Sequence, residues 1–187
     1  MKYAFSDIYL MENFLLLKEK HKSVKFFETG TWHGETAEAV SRHISSVVTV
    51  EVNKGFYDIA AKKTNGLNNV KLVLGNSPDV IMESLVNQEQ GLIFFLDAHW
   101  ENDWPLLREL SAIASKDIKP VIMIHDFYIP DGNGGAKFHY DSYNGQPLDL
   151  SYVKRSLDDI YGEDNYTYFY SDKVENDSGV LYVEPKQ

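Results

Sequence analysis

Five polar clusters in this chain have the residue types and spacing to handle a ligand. The first is Glu28-Thr-Gly30-Thr31-Trp32-His-Gly34-Glu-Thr36. Glycines let the backbone bend sharply and admit a ligand at close range. A helix beginning here would aim its N–H groups at an anionic group, such as the carboxylate of an amino-acid ligand. The spacing Gly-x-x-x-Gly is not the Gly-x-Gly-x-x-Gly of dinucleotide sites, which disfavours a nicotinamide cofactor. The second cluster is Glu51, 21 positions after Gly30. An acid at about that distance is placed to accept hydrogen bonds from a ribose diol. The third, Asn76-Ser77, has the groups to hydrogen-bond an adenine or to cap a helix. The fourth and fifth are Asp97-Ala-His99-Trp100 and His125-Asp126. Imidazoles titrate near neutrality and suit proton acceptance, with His99 the first candidate, His125 the second and His139 the third. Asp97, His125 and Asp126 together are a candidate set for a divalent cation, Mg²⁺ or Mn²⁺ among them. A plain turn, a solvated strand-end carboxylate and a strand cap are the ordinary alternatives for the same residues.

Something must bring these clusters together. Short apolar runs at residues 24–28, 47–51, 70–74, 92–97 and 120–125 read as strands, and every cluster sits at the end of one. Helical patterns occupy residues 35–43, 55–63, 78–85, 104–115 and 151–161, with Ser77 as N-cap and Pro78 at the first helical position. Strands alternating with helices predict a parallel, doubly wound Rossmann-like α/β sheet of five strands, with right-handed crossovers. Two further strands, at 166–170 and 179–183, have too little chain between them for a crossover. They should close the sheet as an antiparallel hairpin at its edge. Residues 127–150 show no period, hold glycines and several tyrosines, and follow the fifth strand. Such a long structureless loop beside the carboxyl edge reads as a substrate lid. The N-terminal segment, within residues 1–22, reads as an amphipathic helix carrying Ile8, Leu10, Phe14, Leu15 and Leu17. It would cover the sheet, close the acceptor pocket or form a dimer face. Nothing divides the chain, so residues 1–187 should form a single domain.

In order and spacing, Glu28-x-Gly30-x-x-x-Gly34, Thr-Val-Glu51-Val-Asn, Leu-Gly-Asn-Ser77 and Phe-Leu-Asp97-Ala-His-Trp resemble the motifs of class I S-adenosylmethionine (SAM) dependent methyltransferases. The closest resemblance is to the small, metal-dependent catechol O-methyltransferase group, over about residues 24–184. The last strand, Gly179-Val-Leu-Tyr-Val183, is similar to that family's seventh strand. The resemblance implies SAM as cofactor and a hydroxyl of a small sugar or aromatic as acceptor. It implies that Glu28, Gly30, Thr31, Gly34 and Thr36 lie around the methionine moiety, Glu51 at the ribose, and Asn76 and Ser77 at the adenine. Trp32 and Trp100 would pack on the cofactor, His99 would contact cofactor or acceptor, and Asp97 matches the first metal-binding carboxylate. The chain departs from the catechol-type pattern in two places. The lysine that serves as base just after the strand-4 motif is replaced by Glu101-Asn-Asp103, and the Asp-Asn pair after strand 5 is His125-Asp126.

Composition is that of a globular protein, with 43% hydrophobic and 25% charged residues. The absence of cysteine excludes disulfides, thiolate metal sites and a cysteine nucleophile. A net charge of −10 argues against nucleic acid as partner. No apolar run is long enough for a membrane span, and the N-terminus lacks the pattern of a signal peptide, so a cytoplasmic setting is expected. Two other functions remain open on the sequence: a regulatory SAM- or nucleoside-binding module without catalysis, and another nucleotide-using enzyme on the same scaffold.

Overall fold

The computed structural model describes residues 3–99, 103–130, 138–173, 175 and 178–186. Seven strands form the main sheet: β1 (Lys25–Thr29), β2 (Ser46–Glu51), β3 (Val70–Leu74), β4 (Leu92–Leu96), β5 (Val121–Ile124), β8 (Tyr166–Tyr170) and β9 (Leu181–Pro185). Their order is β3-β2-β1-β4-β5-β9-β8. The first five are mutually parallel, and β9 runs antiparallel to both β5 and β8. The expected hairpin therefore exists, with the later strand inside and β8 at the rim. A short pair that the sequence reading lacked, β6 (Ser142–Tyr143) and β7 (Gln146–Pro147), forms a separate antiparallel ribbon.

Alternation along the strands sends side chains to two cores. Phe26, Val47, Ile93, Phe95 and Met123 face α1 (Ile8–Lys20) and α2 (Glu35–Ser41). Phe27, Val48, Phe94 and Ile122 face α4 (Ser77–Ser84), α5 (Leu106–Ala114) and α6 (Leu150–Tyr161). The remaining helix, α3 (Lys54–Thr64), lies against β3 and α2.

The N-terminal helix covers the sheet, one of the roles open to it. Asp7 caps α1 by accepting the Tyr9 and Leu10 N–H groups, and Leu10, Phe14 and Leu17 are buried. Ile8, read as part of the apolar face, is half exposed. Phe14 is fully buried and meets Phe5 and Phe26 edge-on at 5.5 Å each. Phe14→Ala should therefore cost about 3–5 kcal/mol, read as a lower urea midpoint with an unchanged slope.

The start of α4 differs from the expected cap. Asn76 is the N-cap residue, Ser77 begins the helix and Pro78 is second. The Ser77 hydroxyl does not cap, because it donates instead to the buried carboxylate of Glu109. Pro78 is tolerated one place later since first-turn N–H groups have no intrahelical acceptor in any case.

Candidate functional site

The sheet order reverses direction between β1 and β4, and a cleft of about 660 Å³ opens there at the carboxyl ends of the strands. That is where open α/β sheets bind ligands. Gly30, Thr31, Trp32, Thr36, Glu51, Asn76, Ser77, Asp97, His99, His125 and Asp126 all line it. Five clusters separated in sequence thus share one wall because five strands end together.

The turn after β1 is shaped by its glycines and by one carboxylate. Gly30 has φ +82°, and a Cβ there would lie 2.6 Å from the Asp97 carbonyl oxygen. Trp32, although not glycine, holds φ +50°. Its N–H donates to Glu51 Oε2 at 2.8 Å, while the Asn53 N–H donates to Glu51 Oε1 at 2.8 Å. Each Glu51 oxygen thus takes one backbone donor and keeps a second lone pair. The Trp32 ring stacks on His33 at 4.0 Å, and His33 meets Phe56 edge-on.

Two expected residues sit beneath the cleft rather than on its wall. Gly34 is the left-handed N-cap of α2, where a Cβ would crowd Ala60 at 3.3 Å. Glu28 is 1% exposed and accepts from the Thr49 hydroxyl at 2.5 Å; Thr49 in turn bonds Thr31. Trp100 lies outside the described residues.

Burial pushes the Glu28 carboxyl up to about 8, against the Thr49 hydrogen bond, with Asp97 nearby adding to the rise. Burial likewise lifts Glu109, under Ser77, to about 7. Glu109 also borders a recess of about 20 Å³ shared with Asp97 and His125, room for one water. Both carboxyls bind protons more tightly folded than unfolded, so stability should fall as pH rises from about 4.5 to about 8, by up to about 1.4 kcal/mol per group and pH unit. Glu28→Gln and Glu109→Gln should each flatten that slope. Urea midpoints between pH 5 and pH 8.5 check this, and parallel slopes in wild type and variants would refute it.

At the acceptor end, His125 Nδ1 lies 3.0 Å from Asp97 Oδ1 and 3.4 Å from Asp126 Oδ2. Burial alone would lower the imidazole, but Asp97 and Asp126 carry it well above its usual value. Asp126, which burial alone would raise, is drawn down to about 2 by the His125 hydrogen bond. The three form an imidazolium between two carboxylates.

Residues 127–150 are more ordered than a structureless lid wherever they are described. The Asp141 N–H donates to Asp126 O, Leu148 N–H to Asp141 O, and Tyr128 N–H to Leu148 O. The aromatic rings pack among themselves and on neighbouring elements: Tyr128 on Tyr140, and Tyr143 on Trp104. From this segment the described cleft wall receives only His139. Asp141 stands behind, its two oxygens 3.6 Å from His139 Nε2 and 3.9 Å from His99 Nε2. Phe56, Asp103 and Ser178 also line the cleft and were not anticipated, and Tyr3 and Ala4 of the N-terminal segment line it as well. No lysine or arginine is among its described lining residues.

No family model matches the sequence. No curated protein matches it either. Solved structures do. An O-methyltransferase from Bacillus cereus in complex with SAH is 18% identical, with 93% of this chain and 80% of that one covered at a TM-score of 0.62. A putative O-methyltransferase from Klebsiella pneumoniae is 16% identical, with 100% and 82% covered at 0.65. An rRNA methylase from Streptococcus thermophilus is 14% identical, with 100% and 99% covered at 0.62. The chain has the class I methyltransferase fold.

Proposed function

We propose that this chain is a SAM-dependent methyltransferase that methylates a hydroxyl of a small, uncharged acceptor such as a sugar or an aromatic alcohol. The observation that carries the reading is Glu51, its carboxylate fixed by two backbone N–H groups on the wall of a cleft that also holds Gly30, Asn76 and Ser77. That arrangement suits a nucleoside with an amino-acid tail: ribose at Glu51, adenine at Asn76 and Ser77, the methionine moiety at Gly30, Thr31 and Thr36. Trp32 adds an aromatic surface. The fold shared with the Bacillus cereus protein, which binds SAH, supports the same cofactor here.

The sulfonium methyl is already activated, so the protein chiefly aligns an acceptor oxygen with it. As the methyl moves to oxygen, the sulfur keeps its bonding pair and leaves as a thioether, and the hydroxyl proton passes to a base. An imidazolium clamped by Asp97 and Asp126 has no lone pair to offer, which disfavours His125. His99 and His139, exposed at the cleft mouth beside Asp141, are the better bases. A divalent cation that displaced the imidazolium proton would fit the set Asp97, His125 and Asp126, whose ligand atoms lie within 4.8 Å of one another. It would acidify an acceptor hydroxyl.

Although an rRNA methylase shares the fold, a wall with several carboxylates and no described lysine or arginine suits a polyanion poorly. A nucleoside-binding module without catalysis is the second reading. No helix among the described residues is long and apolar enough to cross a membrane. A cytoplasmic setting goes with this reading. Calorimetric titration with SAM and SAH tests it, followed by SAH release against a panel of sugars and phenols. No heat with either ligand would end the proposal, and binding without turnover on any acceptor would favour the module.

A further inference from the structure

Asp126 belongs to two groups of ligating side chains. One is the set with Asp97 and His125 already described. The other is His99, Asp126 and Asp141, whose ligand atoms also lie within 4.8 Å of one another. We infer that His99, Asp126 and Asp141 form a second divalent-cation site, which fastens the segment around Asp141 to the carboxyl ends of β4 and β5. The site does not depend on methyl transfer.

The geometry suits a small cation. Ligand atoms about 2.0–2.2 Å from one metal stand about 3–4.4 Å apart, depending on the angle. His99 Nε2 and Asp141 Oδ2 are 3.9 Å apart. The other Asp141 oxygen is 3.6 Å from His139 Nε2, which puts a second imidazole at the edge of the site. These spacings are long for hydrogen bonds. The His99 and His139 side chains are 54% and 64% exposed. Ion pairs so exposed contribute about 0–1 kcal/mol, too little to draw two carboxylates together. Yet Asp126 and Asp141 have ligand atoms within 4.8 Å of each other, the His125 that faces Asp126 at 3.4 Å is shared with Asp97, and the cleft has no lysine or arginine among its described lining residues. Their backbones are tied as well. The Asp141 N–H donates to Asp126 O at 2.9 Å, and Asp126 itself holds φ +50°.

The donor set selects the metal. One or two imidazoles with two carboxylates favour a borderline ion such as Zn²⁺ or Mn²⁺ over Mg²⁺, which prefers oxygen and retains water. The site also bears on the base. With His99 coordinated, proton acceptance in the proposed reaction falls to His139.

The test is titration of the full chain with ZnCl₂ and, separately, MnCl₂, without SAM. Wild type, Asp141→Asn, His99→Ala and Asp97→Asn are compared. His99 is exposed, so its removal puts little folding stability at risk, and thermal unfolding of each variant is followed beside the titration. Asp141→Asn and His99→Ala should each weaken Zn²⁺ binding at least tenfold, while Asp97→Asn retains a Zn²⁺ site. Zn²⁺ should also raise the melting temperature of wild type more than that of Asp141→Asn. Absence of Zn²⁺ and Mn²⁺ binding by wild type would overturn the inference. So would unchanged affinity in His99→Ala, or loss of all binding in Asp97→Asn. SAM titrated into the same samples keeps the two proposals apart: metal bound with no SAM binding would sink the functional reading and leave the cation site standing.

Discussion

Glu51→Ala should weaken SAM binding by about 100-fold or more while the chain stays folded. Two ribose hydroxyls donating to a carboxylate are charge-assisted hydrogen bonds, each contributing about 1.5–3 kcal/mol. At about 1.4 kcal/mol per tenfold in affinity, a pair reaches that range. The side chain also anchors the cleft wall, because the Trp32 and Asn53 N–H groups both end on it. Alanine would release Trp32 from its support at φ +50° and loosen the aromatic surface beside the nucleoside. Glu51→Gln separates these roles. An amide keeps one accepting oxygen, but its NH₂ would face a backbone N–H, donor against donor. Gln should therefore bind SAM better than Ala and well below wild type. Calorimetry with SAM and SAH measures all three proteins, and melting curves confirm that they are folded. Equal affinity in wild type and Glu51→Ala would remove the ribose from this position and, with it, the orientation proposed for the cofactor.

The parts legible in the sequence were those written in local chemistry. β-branched and apolar runs marked the five parallel strands to within one or two residues, since a buried parallel strand leaves few polar positions. Strand ends then marked the cleft. What escaped depends on distant contacts. Glu109 is fully buried on the same face of α5 as Leu106, Leu110 and Ile113, where a charge is unexpected, and the Ser77 hydroxyl donates to it from another helix. The same contact displaced the cap expected at Ser77. The ribbon β6–β7 did carry a local signal, Asn144-Gly145, both at positive φ. That pair is a strong hairpin signal, but strands of two residues have no period to detect. Missing the ribbon meant missing Asp141, the residue that joins His99 and His139. Tyr3 and Ala4 lie just ahead of α1, and their arrival at the cleft depends on how that helix packs on the sheet.

Charge organisation follows from the same topology. Parallel strands deliver the acids at 28, 51 and 97 to one edge, and Asp126 ends the neighbouring strand. The fold answers this crowding in three ways: a raised, proton-holding Glu28, backbone donors on Glu51, and a protonated His125 between Asp97 and Asp126. The sulfonium of the proposed cofactor would add positive charge to the same place. An anionic acceptor would meet the acids with no described lysine or arginine in the cleft to receive it, which supports the neutral hydroxyl acceptor proposed above.

Gly30→Ala should abolish measurable SAM binding and destabilise the chain by about 2–4 kcal/mol, combining overpacking with a left-handed alanine. Its Cβ would lie 2.6 Å from the Asp97 carbonyl oxygen and 3.0 Å from Ala98 Cα. Both obstacles are backbone, so no side-chain rotation relieves them. β1 and β4 would have to part at the point where the sheet order reverses, and Asp97 would move with β4. Gly66→Ala is the matched control. Gly66 also has a left-handed φ, +88°, but nothing stands within 4 Å of its Cβ position. That variant should lose only about 1 kcal/mol, from backbone strain alone, and bind SAM as wild type does. Melting temperatures and SAM titrations on the pair isolate the packing contribution. If both variants lost the same stability and both still bound SAM, the close approach of β1 to β4 would be incidental, and Gly30 would be a turn residue without a part in the site.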